Sequence, residues 1–336
     1  MAVVLPATVS DVVTRALVDH FQRDFPLVGR PFAEIGAQLG TDEDEVIARL
    51  RDLLACGAVS RVGAVVRPHS AGASTLAAVA APPERIEAVA AVINRFNGVN
   101  HNYERENLWN LWFVVTGRDW DDVQATLDSV QATTGLEVLN LPLEKSYHID
   151  LGFSLFGMSG RRPAAPAVTH GKADETDRCL LGALEPGLEM TARPFEALGR
   201  TCGLSEAEAI ERLESMIARG VISRFGIVVR HRAFGYTANA MAVWDVMDGE
   251  VDHVAETFSA EAGVTLCYRR PRRLPQWRYN LFTMIHGTNR PEVEATIRHL
   301  AELAGARCTA RDTLFSTRCF KQRGAVFSKR GSGEVA

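Results

Sequence analysis

No CxxC pair occurs in the 336-residue chain, whose six cysteines (Cys56, Cys179, Cys202, Cys267, Cys308, Cys319) lie scattered. That spacing argues against a zinc site or a disulfide framework, and for reduced thiols in a cytoplasm. No basic segment leads into a long apolar run near Met1, and no stretch is apolar over the width of a bilayer. The chain is therefore read as cytoplasmic, with no membrane contact. Nor does one sign of charge dominate: 37 Lys and Arg against 41 Asp and Glu leave a net charge of −4, with no overall pull towards nucleic acid. A dinucleotide fingerprint and a radical-cluster signature are both missing, so no redox cofactor is implied. What is present is an ordinary globular composition, 46% hydrophobic and 23% charged, at a length sufficient for two or more cores.

The chain is also a duplication. Arg30 to Arg67 aligns without a gap with Arg193 to Arg230, and about half of the aligned positions are identical. Arg-Pro-Phe opens both segments, Ser60-Arg61 matches Ser223-Arg224, and Val65-Val66-Arg67 matches Val228-Val229-Arg230. Each unit begins with a helix (Asp11 to Phe21; Glu175 to Leu184), then a short helix and a turn at Gly40 or Gly203. The next helix opens on a capping box, Asp42-x-x-Glu45 or Ser205-x-x-Glu208, and ends at Gly57 or Gly220 before a strand-like run. That order is a winged helix-turn-helix. The remainder of each unit alternates strands and helices as βαββαβ, a ferredoxin-like sandwich. Strands are expected at Ser74–Ala80, Val99–Glu104, Trp109–Thr116 and Leu136–His148, then at Thr237–Val246, Val264–Arg269, Trp277–His286 and Arg307–Phe320. The fold class is thus α+β. A winged helix-turn-helix is expected over 1–70, a ferredoxin-like domain over 71–156 and a Gly/Pro/Ala-rich linker over 157–174. The second pair should occupy 175–232 and 233–323, with a flexible tail at 324–336.

The helix that would read DNA is acidic at its start in both units: Asp42, Glu43, Asp44 and Glu45 in one, Glu206, Glu208, Glu211 and Glu214 in the other. These side chains would meet the phosphates head on, so no nucleic-acid partner is expected. The opposite charge collects elsewhere. Arg269, Arg270, Arg272, Arg273 and Arg278 fall within ten residues, interleaved with Tyr268, Trp277 and Tyr279. Guanidinium forks bind carboxylates or phosphates and stack on aromatic planes, a combination suited to a flat ligand with several negative groups.

A winged helix-turn-helix followed by βαββαβ resembles the Lrp/AsnC family. Two motif sets resemble a narrower branch, the siroheme decarboxylases: His101-Asn102-Tyr103-Glu104-Arg105 with Asn110-Leu111-Trp112-Phe113 in unit one, and Cys267-Tyr268-Arg269-Arg270 with Trp277-Arg278-Tyr279-Asn280-Leu281-Phe282 and Met284-Ile285-His286-Gly287 in unit two. The resemblance covers nearly the whole chain, as in the fused form of heme d1 biosynthesis. It implies removal of CO2 from the two acetate side chains of siroheme, giving 12,18-didecarboxysiroheme, with no cofactor beyond the substrate's own iron. Its partners would be siroheme and related iron tetrapyrroles, a second copy of the chain, and other proteins of the heme d1 pathway. A ligand-responsive regulator and a non-catalytic heme sensor are the competing readings.

Decarboxylation requires a proton donor beside the acetate. His101 is the first candidate, with Tyr103 and Arg105 on the same face of its strand. It could instead ligate the substrate iron, or be a strand histidine satisfied by a polar neighbour. Tyr268, the five arginines, Trp277 and Tyr279 are expected to hold the substrate, with Asn110, Trp112 and His231 as further contacts. His286, aligned with Thr116 at the far end of its strand, is a weaker candidate, with simple packing against the following helix start as the alternative. Leu266 stands opposite His101 in the alignment of the units, so unit two lacks the candidate acid. Either each unit has its own pocket, only one of them competent, or one pocket centred on His101 takes arginines from unit two; the second is preferred.

Overall fold

The computed structural model describes residues 11–149, 152, 155–156 and 171–324. Most of the expected linker and all but the first residue of the expected tail lie outside these.

In each unit three helices precede the wing: α1 (Val12–His20), α2 (Pro31–Leu39) and α3 (Glu43–Ala55), then β1 (Val59–Val66). The helices α6 (Glu175–Ala183), α7 (Pro194–Thr201) and α8 (Glu206–Ala218) and the strand β7 (Ile222–Val229) repeat them. Proline opens α2 and α7, where its missing N–H costs nothing. Ser205 and Glu208 form a full capping box on α8, whereas at α3 only Asp42 caps, accepting from Glu45 N at 2.8 Å. The first acidic residue of each reading helix is held by an arginine: Glu43 by Arg30 and Glu206 by Arg193.

The two wings pair with each other. β1 pairs antiparallel with β7, Gly63 opposite Gly226, and a single apolar core runs through both helical triads, from Leu17 and Phe32 to Phe195 and Ile227. One expectation about the cysteines is corrected here. Cys179 and Cys202 are joined in a disulfide with Cα atoms 5.9 Å apart, so these two thiols are not reduced as expected.

Unit one continues with β2 (Ala73–Val79), α4 (Ile86–Arg95), β3 (Val99–Arg105), β4 (Leu111–Gly117), α5 (Trp120–Thr134) and β5 (Val138–Pro142), and then β6 (Lys145–Ile149). Unit two has β8 (Ala238–Val246), α9 (Val251–Ala260), β9 (Val264–Arg269), β10 (Leu281–Gly287), α10 (Arg290–Ala304) and the long β11 (Cys308–Gln322). All nine strands join one sheet in the order β5-β2-β4-β3-β11-β8-β10-β9-β6. The join is reciprocal. β11 pairs first with β8 and then, from Ser316 to Gln322, with β3 of unit one. The strand expected as Leu136–His148 breaks in two: β5 pairs with β2, and β6 crosses to pair with β9 of unit two. The sheet's two edge strands are therefore consecutive in the chain, and the sheet wraps back on itself. Helices cover its outer face over two cores, one around Phe113 and Val89, the other around Trp244 and Phe258. The inner face is filled from both units by Trp109, Trp112, Leu141, Met241, Trp277, Phe282 and Leu314. Among the described residues no helix is long and apolar enough to cross a membrane.

Candidate functional site

β3 is extended, so alternate residues share a face. Asn102 turns outwards and donates to Asn94 of α4 at 3.0 Å, leaving His101, Tyr103 and Arg105 on the inner face. The His101 and Tyr103 rings stack at 6.2 Å, and the Arg105 guanidinium lies over Tyr103 at 5.6 Å. All three stay together, as the alternation predicts. Burial, and then the field of Arg61 on β1, push the His101 pKa down to about 4, so the free protein carries a neutral imidazole at neutral pH. Burial likewise lowers Arg105 to about 10; its Nη1 donates to Leu314 O of unit two at 3.2 Å. Arg105 has no carboxylate partner among the described residues, and its buried Nε has no hydrogen-bond acceptor.

Unit two completes this cluster. Arg232, in the turn after β7, acts electrostatically on both Tyr103 and Arg105. His231 beside it packs against His286 of β10, ring centroids 5.2 Å apart, and His286 Nδ1 meets Thr265 Oγ1 at 2.8 Å. Burial and then Arg105 lower His286 to about 4. His286 thus lies beside the cluster, in contact with His231. Arg61 and Arg232 are not singled out by the sequence, because they come from strands or turns far from His101 in the chain. Arg61 carries only the signal of an arginine shared by both wings with Arg224, whereas His286 lies in the Met284-Ile285-His286-Gly287 motif.

The arginine-rich hairpin lies elsewhere, and most of it is engaged internally. Arg272 and Arg278 both grip Asp245 of β8, at 2.7 Å each. Arg272 also holds Asp248 and donates to Val246 O at 2.6 Å. Arg269 pairs with Glu144 at 3.0 Å, and Arg273 donates to Asn140 O at 3.0 Å. Trp277 and Tyr279 precede β10 instead of opening it. Trp277 is buried edge-on against Trp112 at 5.1 Å, so neither indole presents a free face. Asn110 is a latch, bonding both backbone groups of Ala81 at 2.7 and 2.9 Å; Asn280 does the same to Val246 in unit two. The sequence groups these side chains with His101. In the structure Arg272, Arg273, Arg278, Trp277 and Asn110 build the fold beneath it.

Arg270 differs from its neighbours. With Tyr268 it repeats the Tyr103–Arg105 pair: guanidinium 5.4 Å over the ring, a pKa lowered by burial to about 10, and a donor bond into the other unit, here to Leu141 O at 2.6 Å. Its Nε also lacks an acceptor.

A half-buried donor set rich in arginine and histidine, short of carboxylates and assembled from both units, suits a polyanionic ligand. Comparisons with known proteins agree. The AsnC-like ligand binding domain matches residues 71–148 and 233–321, and the siroheme decarboxylase NirDL-like HTH domain matches 14–59 and 177–222. The siroheme decarboxylase NirDL subunit of Paracoccus pantotrophus is 44% identical over 330 residues, covering 96% of this chain and 99% of that protein. A crystal structure of the siroheme decarboxylase NirDL superposes with a TM-score of 0.67 at 26% identity, over 95% of each chain. The same enzyme in co-complex with an iron-uroporphyrin III analogue gives 0.66 at 26% identity, over 94% of each. With two matched units of each kind on one polypeptide, this chain belongs to the siroheme decarboxylase family, in its fused two-unit form.

Proposed function

We propose that this chain is a carboxy-lyase that removes CO2 from the two acetate side chains of siroheme, giving 12,18-didecarboxysiroheme for heme d1 biosynthesis. The observation that carries the reading is the inner-face trio His101, Tyr103 and Arg105, ringed by Arg61, Arg232, His231 and His286. Siroheme bears eight carboxylates, and a buried guanidinium without an anion is costly until one arrives. Arg105 and Arg232 hold carboxylate groups, and the flat face of the macrocycle lies along the His101–Tyr103 stack.

As the acetate loses CO2, the electron pair of the broken C–C bond passes into the conjugated ring, and a proton must reach the former methylene carbon to leave a methyl group. His101 supplies that proton. Its imidazole is neutral in the free protein because burial and Arg61 oppose its charge; substrate carboxylates beside it reverse the local field and favour the imidazolium. Tyr103, whose pKa burial raises further, stays protonated and orients the histidine. No group beyond the substrate's own iron enters this scheme. His101→Ala should lose turnover, read as the mass of two CO2 leaving siroheme under anaerobic conditions, and still bind iron uroporphyrin by its absorbance shift. Full turnover in that variant would remove His101 from the role; a wild-type protein that leaves siroheme unchanged would remove the activity itself.

A further inference from the structure

We infer that the chain carries a second tetrapyrrole-carboxylate site, built on Tyr268 and Arg270, that binds without catalysing. It rests on the reading above only for the class of ligand; its observations are its own. The duplication is geometric as well as sequential. Strand β3 of unit one and strand β9 of unit two each present Tyr-x-Arg on the inner face, arginine over tyrosine at 5.6 and 5.4 Å. Each arginine reaches a leucine carbonyl on the fourth strand of the other unit, Leu314 or Leu141. Each has a buried Nε with no acceptor and, among the described residues, no carboxylate partner. The first of these places has the features of a site that awaits an anion, and the second shares all of them.

The turn after the wing completes the second place as it does the first. In unit one that turn carries His69, held at φ 64°, whose pKa is lowered by burial and, among its charged neighbours, by Arg270. Arg232 lies at the corresponding point near Arg105. Two nitrogen-bearing side chains, Arg270 and His69, thus lie near one another, with Lys172 close by. The symmetry is incomplete, since His69 stands for Arg232, Pro68 for His231 and Thr116 for His286, and the acid itself is replaced. Leu266 occupies the ladder place of His101, two residues before its tyrosine, as His101 stands before Tyr103. Leucine neither donates a proton nor ligates iron. The second site therefore keeps the Tyr–Arg pair that can hold a carboxylate and lacks the group that protonates the macrocycle. Its ligand is an iron tetrapyrrole with intact acetates and propionates, or the partly decarboxylated product leaving the first site.

The test is an anaerobic absorbance titration of the full chain with iron uroporphyrin, read as equivalents bound at saturation. The wild type should take up two equivalents. Leu266→Glu sets a carboxylate among the ligand's own; it should bind one equivalent while turning siroheme over at the wild-type rate. Arg270→Gln removes the unpaired guanidinium by another route and should also bind one. A wild-type endpoint of one equivalent overturns the second site and leaves the decarboxylase reading standing. Two equivalents in both variants overturn it as well. Loss of siroheme turnover in Leu266→Glu with its fold intact by circular dichroism would place Tyr268 and Arg270 in the reactive pocket, and so end the claim of a separate site. No binding at all by the wild type would instead count against the decarboxylase reading itself.

Discussion

At the scale of single residues, His101 and His286 tie function to pH. Both are held near pKa 4, below the ordinary 6.5, by burial first and by an arginine second. A depressed histidine is neutral in the fold and charged in the unfolded chain between those values. Its contribution is complete above pH 6.5 and is lost as pH falls towards 4, at up to about 1.4 kcal/mol per pH unit for each histidine. Urea unfolding at stepped pH should show the loss, and His101→Gln should be less sensitive than the wild type by one histidine's share in that window. Parallel curves would mean that His101 titrates normally. The same imidazole should gain its proton when an anionic substrate shields it from Arg61. Calorimetric binding of iron uroporphyrin near pH 6, in buffers of different ionisation enthalpy, should therefore report proton uptake by the wild type that is reduced in His101→Gln. The trio was legible because period-two alternation needs only neighbouring residues. Half of the ring around it was not, since no local pattern brings Arg61 and Arg232 to that strand.

At the scale of elements, the hairpin and the wings show where residue counting misleads. Five arginines in ten residues suggest a ligand grip, but composition does not reveal that Asp245 sits on the strand alongside. Burial opposes the charge of Asp245, yet Arg272, Thr309 and Arg278 together hold its carboxyl below the usual range. Asp245→Ala removes the carboxylate that Arg272 and Arg278 share, leaving Arg272 its bond to Asp248, and should cost about 2 kcal/mol in urea unfolding, since bonds to charged groups contribute roughly that much. The wings give a sharper contrast, because Gly63 and Gly226 are equivalent in the duplication and opposite each other in the ladder. A Cβ on Gly226 would lie 2.5 Å from the carbonyl oxygens of both Phe21 and Gln22, whereas on Gly63 the nearest atom is 3.6 Å away. Gly226→Ala should thus lose about 3 kcal/mol through forced backbone shifts, and Gly63→Ala much less. Equal thermal midpoints for the two variants would contradict the close approach. The repeat made both glycines visible; only packing makes one of them indispensable.

At the scale of the whole molecule, the sequence shows two copies of one unit, and the physical consequence is a single body. Helix periodicity, caps and βαββαβ order follow from local chemistry and could be read directly. The reciprocal join could not: whether the strand expected at Leu136–His148 stays with its own sheet depends on which edge is free, and β9 of the other unit is free. Three pairings then cross between units, β1 with β7, β3 with β11 and β6 with β9, and one apolar core runs through both helical triads. Neither unit alone closes its inner face, because Trp112 needs Trp277 and each buried arginine needs a carbonyl from its counterpart. Cutting the chain between 157 and 170 at an introduced protease site should therefore leave the fragments co-eluting, with siroheme turnover retained. Expressed singly, residues 1–156 should expose the apolar inner face and bind a hydrophobic dye. Fragments that separate on a sizing column after cleavage, each still folded, would show that the units are independent domains after all, and that the site belongs to one of them.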